Sequence, residues 1–211
     1  MIPKAELHVH LEGTAPPELI RRLAERNGMP VPEGVFKTED EFAWVDFLDF
    51  LRTYDLAASV VRTPADYRDV TFEYLSGCAA EGAIYVEVIA SPDHAAAVGL
   101  SDEDHYAGIA QGIDDARAET GIEGRIIMSC VRHFGPEKAR DVARRTVEGP
   151  HPYVTGFGMG GDEAWEVIDR MAVRYTGEPF PFRPPTSIVY FVEPTRVGSM
   201  QLPFQHRPAT A

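Results

Sequence analysis

The sequence predicts an α/β fold in which parallel strands alternate with amphipathic helices. Three observations carry this reading: four strand-like segments recur with helix-length segments between them, the second and third strands read as buried, and no G-x-G-x-x-G follows the first. Parallel pairing then follows from the length of the crossovers. The missing glycine motif removes the main sign of a dinucleotide-binding sheet, which leaves an open sheet and half of a barrel as the two arrangements.

The first strand is Ala5 to Leu11, where Ala5, Leu7, Val9 and Leu11 alternate with Glu6, His8, His10 and Glu12. Gly13-Thr14 breaks it. Pro16-Pro17 starts a helix that Asn27-Gly28 stops. From Asp46 to Val61, Phe47, Leu48, Phe50, Leu51 and Tyr54 recur at three-to-four spacing, and Pro64 opens a second helix carrying Tyr67, Val70, Tyr74 and Leu75. The second strand, Ala83 to Ala90, is apolar except at Glu87, as a strand covered on both faces would be, and Ser91-Pro92 ends it. Ser101 with Asp104 caps the next helix, which runs through Tyr106, Ile109, Ile113 and Ala116 to Thr120-Gly121. Arg125 to Val131 is the third strand, Pro136 to Val147 a helix, and Tyr153 to Met159 the fourth strand, leading into Gly160-Gly161-Asp162-Glu163.

After Glu163 the character changes. Residues 164 to 174 are compatible with a helix, but from Gly177 the chain carries Pro179, Pro181, Pro184, Pro185, Pro194, Pro203 and Pro208, a density that opposes helices and ladders alike. Ser187 to Val192 is the one strand-like run in this tail, which otherwise reads as loop. Residues 1–163 therefore form the folded unit and 164–211 a divergent tail.

Composition narrows the function classes. Hydrophobic residues make up 44% and charged residues 25%, an ordinary globular balance. The net charge is −13 with a pI near 4.9, and the 20 basic residues are scattered, which argues against a nucleic-acid partner. The opening residues lack a basic start followed by an apolar run, and no stretch approaches 18 apolar residues, so we expect neither signal peptide nor membrane span, and a cytoplasmic protein. Cys78 and Cys130 lack C-x-x-C spacing and read as reduced core thiols.

Two histidines at i and i+2 on a strand project to one side, so His8 and His10 have the placement to share a metal ion, although a strand with one solvated face gives the same pattern. The Gly13 break puts them at the carboxyl end of the strand, where parallel α/β folds bind ligands. Pro3-Lys4-Ala5-Glu6-Leu7-His8-Val9-His10-Leu11-Glu12-Gly13-Thr14 resembles the first-strand signature of the adenosine/adenine deaminase family. Phe50-Leu51-x-x-Tyr54-Asp55, Tyr85-Val86-Glu87-Val88 with Ser91-Pro92, Cys130-Val131-Arg132-His133 and Gly160-Gly161-Asp162-Glu163 resemble later landmarks of that family, in order.

The resemblance covers residues 3 to about 163. It implies a (β/α)8 TIM-type barrel with a catalytic Zn2+ at the carboxyl face, one per full-length subunit, hydrolysing the 6-amino group of a purine with release of ammonia. At 211 residues, against roughly 250 for a complete barrel, the chain reads as an incomplete barrel of about four β/α units with an irregular Pro-rich C-terminal tail. By position, His8 and His10 resemble the first two zinc ligands, with His10 also facing substrate. Glu12 takes the place of the family's acidic residue on the sugar side, Gly161 that of a glycine whose backbone approaches the purine, and Phe47 with Phe50 that of a hydrophobic gate. Plainer roles stand beside these: Glu12 as a helix cap, Gly161 as a tight turn, Phe47 and Phe50 as core. His133 reads as structural; His94, His105, His151 and His206 read as solvated.

The family's third histidine ligand and proton-donating glutamate share a His-Ala-Gly-Glu motif, which residues 164–211 do not contain. No catalytic residue is therefore assigned here, and the tail resembles a frameshifted, truncated or mis-predicted product. The resemblance implies an adenosine deaminase, with little or no activity in this chain alone. Adenine or modified adenosine is the alternative substrate, since Glu12 replaces the aspartate usual in nucleoside-specific members. A non-catalytic remnant, self-associating through unpaired sheet edges, is the alternative of a different class.

Overall fold

A computed structural model describes residues 2–161; the sequence readings for the tail lie outside the described residues. The element order is β1 (Lys4–His10), a 3-10 turn (Leu11–Thr14), α1 (Pro17–Arg26), α2 (Phe47–Ala58), α3 (Pro64–Ala80), β2 (Ala83–Ala90), α4 (Pro92–Ala97), α5 (Asp102–Thr120), β3 (Glu123–Val131), a 3-10 turn (Arg132–Phe134), α6 (Pro136–Glu148) and β4 (Val154–Gly160). All strand pairs are parallel and the spatial order is β1-β2-β3-β4. Spatial order equal to chain order is the winding of a barrel, because a doubly wound sheet reverses direction at its switch point.

The sheet is also curled. Neighbouring strands lie about 4.8 Å apart, so on a flat sheet β1 and β4 would stand roughly 14 Å apart. A Cβ on Gly160 of β4 would nevertheless fall 3.0 Å from Cε1 of His10 on β1. Only a concave inner face brings the two together. Val9, Val88, Ile126 and Val154 share one register row on the outer, helix-covered face, and Ile89, Ile127 and Gly156 share a row on the inner one.

The main core lies outside the curl. Val86, Val88, Ala90, Ile126 and Met128 meet Leu19, Leu23, Leu75, Ile109 and Ile113 from α1, α3 and α5. The helix cover depends on a close approach of α3 and α5. A Cβ on Gly108 would fall 2.4 Å from the Pro64 carbonyl oxygen, and one on Gly112 2.6 Å from the Arg68 carbonyl oxygen. Arg68 Nε donates to Asp115 at 2.7 Å across the same seam. α3 starts with a capping box at Thr63 and Asp66, and Asp66 also accepts from Arg26 and Asn27 of the α1 end.

Several expectations are corrected. Leu11 ends no strand: it opens a 3-10 turn and is fully buried. β2 is covered on both faces only at its carboxyl end: Ala83, Tyr85 and Glu87 are half-buried, and Ile84, at the register irregularity opposite Lys4 and Ala5, is 59% exposed. The stretch after Ser91-Pro92 forms the short α4, started by a proline at its first position. His94 and His105 are not solvated. His105 is 0% exposed, in T-shaped contact with Tyr67 at 4.4 Å, because it heads the stripe continued by Ile109 and Ile113. Both cysteines are free, and burial raises their pKa values to about 11, so they are inert thiols. No helix among the described residues is long and apolar enough to cross a membrane.

Two predictions follow from this packing. Gly112→Ala should destabilise the chain by about 2–4 kcal/mol in urea unfolding through overpacking, whereas Gly77→Ala on α3, whose Cβ meets nothing within 4 Å, should be neutral or stabilising by about 0.5–1 kcal/mol. Burial lowers the pKa of His105 from 6.5 to about 4. The unfolded chain therefore takes up a proton that the folded one refuses: stability is full above pH 6.5 and falls by about 1.4 kcal/mol per pH unit toward pH 4. The difference between parent and His105→Leu, followed against pH, should show that slope; a flat difference would refute it.

Candidate functional site at the carboxyl ends of the strands

β1 delivers its histidines to the concave side. The His8 and His10 ring centroids are 5.7 Å apart at 66°. His8 is exposed and His10 half-buried. His10 packs against the Gly160 backbone, and the burial there lowers its pKa to about 4, partly countered by Glu12. It is thus a neutral imidazole at physiological pH, the state a metal requires. Two imidazoles suit zinc as half of a tetrahedral set. No group of three or more His, Cys, Asp or Glu side chains able to hold a metal occurs among the described residues, so any further ligands lie outside them.

Glu12 lies in the 3-10 turn after β1 and is 2% exposed. Its Oε2 accepts from Tyr54 Oη at 2.7 Å and its Oε1 from the Ser91 N–H at 2.9 Å. These bonds join the ends of β1 and β2 to α2. Burial together with the Glu12 charge drives the Tyr54 pKa far above the ordinary phenol value, so Tyr54 stays a donor.

Phe50 is buried, stacked on Phe47 at 6.4 Å and edge-on to Trp44 at 5.9 Å. Phe47 is 37% exposed and Leu48 61%. Of the gate pair, then, Phe50 lies in the core and Phe47 at the surface. Gly161 directly follows β4 with φ +96°, and a Cβ there would fall 2.7 Å from Nδ1 of His133. The glycine thus serves both a turn only glycine adopts freely and a close approach. Asp162 and Glu163 lie outside the described residues.

Sequence reasoning passed over one further pair. His94 of α4 sits with Nε2 2.9 Å from Asp55 Oδ1 of α2. Burial alone would lower its pKa, but the Asp55 hydrogen bond and the charges of Glu12, Asp55 and Asp93 outweigh it and raise the value. The visible signal was Asp55 at the end of one landmark and His94 two residues beyond the Ser91-Pro92 of the next; what hid the pair is that its contact spans 39 positions.

The fold is that of a barrel-type α/β protein, with His10, Glu12 and His94 gathered at the carboxyl-terminal ends of its parallel strands, the end at which such folds bind ligands. Comparison with known proteins agrees. Residues 3–175 match the family described as adenosine deaminase, and the chain belongs to that family of hydrolytic deaminases. It is 47% identical over 163 residues to an adenine deaminase of a Chelativorans species, covering 77% of this chain and 50% of the relative. It is 43% identical over 160 residues to one from Agrobacterium fabrum, covering 76% and 49%. The chain thus spans about half the length of the curated relatives it matches. Among solved structures, the adenine deaminase of Arthrobacter aurescens superposes with a TM-score of 0.73 at 29% identity, covering 82% of this chain and 54% of that one. An amidohydrolase from Burkholderia ambifaria with bound Zn gives 0.64 at 27%, covering 77% and 45%.

Removing the Tyr54 hydroxyl leaves a buried carboxylate oxygen unpaired. Tyr54→Phe should therefore cost about 1.5–3 kcal/mol in urea unfolding. A loss below about 0.5 kcal/mol would mean that water reaches Glu12 and that the tie is dispensable.

Proposed function

We propose that the protein is a purine 6-aminohydrolase, with free adenine preferred over adenosine. The observation that carries the preference is Glu12. Glu12 is 2% exposed and each of its oxygens already accepts a hydrogen bond, from Tyr54 and from the Ser91 N–H, so its remaining acceptor capacity is enclosed by the protein instead of being presented to a sugar hydroxyl. A nucleoside bound there would have to leave that hydroxyl without this partner or disturb the buried pairing, and sites discriminate strongly when polar partners are lost. The adenine deaminases among the relatives, at 39–47% identity, support the same reading.

His8 and His10 would hold the metal, which in the related Burkholderia protein is zinc. Bound zinc lowers the pKa of a coordinated water to about 7, which makes a nucleophile at neutral pH. The remaining work falls to the chain itself. His10 stays neutral and is seated by Gly160. Phe47 and Phe50 exclude water on the α2 side, and the Gly161 backbone closes the β4 side of the mouth. The proton donor is to be sought outside the described residues, since none of these side chains combines an open carboxyl group with that position.

Ammonia release from adenine and from adenosine, measured on the zinc-loaded chain, tests the proposal. We expect kcat/KM for adenine to exceed that for adenosine by about 100-fold or more, the scale of discrimination by lost polar partners. Equal or greater rates with adenosine would refute the preference. Removing a ligand should cost more than removing an outer-shell partner, whose loss costs about 10–100-fold in metal affinity, so His10→Ala should all but abolish zinc retention on dialysis. Stoichiometric zinc without turnover of either purine would instead favour a non-catalytic remnant.

A further inference from the structure

The side chains at the mouth form one continuous rim. Glu12 after β1 bonds Tyr54 of α2; the Tyr54 ring meets His94, after β2, at 5.5 Å; His94 meets Phe134, after β3, at 6.5 Å. Phe134 contacts His133 at 4.9 Å edge-on, and His133 abuts Gly161 after β4. The rim therefore visits the loop after every described strand and encloses the concave end where His10 lies. Most of its members are buried or bonded. Phe134 is different: it is 43% exposed, in the turn directly beyond the carboxyl end of β3.

Covering this ring with a flat apolar partner would remove its apolar face from water. We propose that Phe134 is a substrate-binding residue that presents its ring to the face of the purine, and that His94, pinned to Asp55, is the positioning residue that holds it. The proposal rests on the purine reading above. The continuity of the rim with the histidine site points to the substrate's heterocycle as the occupant, because the Phe134 ring meets His133, which abuts Gly161 directly after the Gly160 that seats His10. His94 presents one nitrogen to Asp55 at 2.9 Å, which sets the orientation of its ring and with it the prop under Phe134.

The test is equilibrium dialysis of labelled adenine against the full chain, with ammonia release as a second readout. Phe134→Ala should weaken adenine binding about tenfold, within the range that base–aromatic stacking is worth on alanine substitution, and the loss should fall on KM with kcat little changed. Phe134→Tyr should restore affinity. His94→Ala should lower it about threefold, and His94→Gln, which can still bond Asp55, should recover most of that. Ile84→Ala is the control: this residue is also exposed, but at the amino end of β2, and it should change nothing. Unchanged affinity in Phe134→Ala while the parent binds adenine would overturn this inference alone. Failure of the parent to bind adenine would overturn the purine reading and this inference with it. A shift to smaller assemblies on sedimentation of Phe134→Ala, with adenine affinity intact, would overturn it in favour of a contact between copies.

Discussion

The carboxylate of Glu12 lies where the turn after β1, the end of β2 and the helix α2 come together, and each of its oxygens is taken by one of the other two elements. A buried charge without such partners costs several kcal/mol, so the arrangement fixes geometry as much as it adds stability. α2 can sit in only one place if Tyr54 is to reach Glu12. That placement in turn seats Phe50 beside Tyr54, with Phe47 at the surface, and carries Asp55 to His94. The aromatic rim is thus a consequence of one internal carboxylate.

The sheet supplies the complementary constraint. Its outer face is closed by α1, α3 and α5, and that closure relies on two glycines of α5 that let the helices touch backbone to backbone. Its inner face is different. A complete barrel fills its interior with layers of large side chains from alternate strands. Here β4 contributes Gly156, Gly158 and Gly160 to that side, where Ile127 and His10 lean against bare backbone. The glycines give the curl its tightness and leave room above it.

Much of this was legible in the sequence, because the signals were local. Strand periodicity, proline at helix starts, the Ser101 cap and the Gly121 stop are one-dimensional patterns, and the four strands and the major helices fall where those patterns put them. The histidine pair was legible for the same reason: two residues apart on a strand means one side. What escaped were properties that depend on distant partners. Glu12 read as a ligand-facing acid or a cap, and nothing local revealed that Ser91, 79 positions away, would claim one oxygen. His94 read as a loop residue until Asp55 came within reach. His105 is the exception, since its four-residue spacing to Ile109 and Ile113 marked it as core; polarity of the residue type masked the pattern. Phe134 has no sequence periodicity at all, and only the rim gives it meaning.

The two histidines end up with unequal roles, and the reason is geometric. His10 is one residue nearer the mouth than Val9, packs on the β4 backbone and is held neutral by burial, so its orientation is set before any metal arrives. His8 lies one turn of the pleat lower and is exposed on the concave side. A metal bridging them would find one fixed ligand and one that must be ordered on binding, which costs side-chain entropy. Cover over the concave face would remove that cost by confining His8 as β4 confines His10. Under the proposed metal reading, affinity at this pair would therefore be governed less by the two imidazoles than by how completely the space over β1 is enclosed.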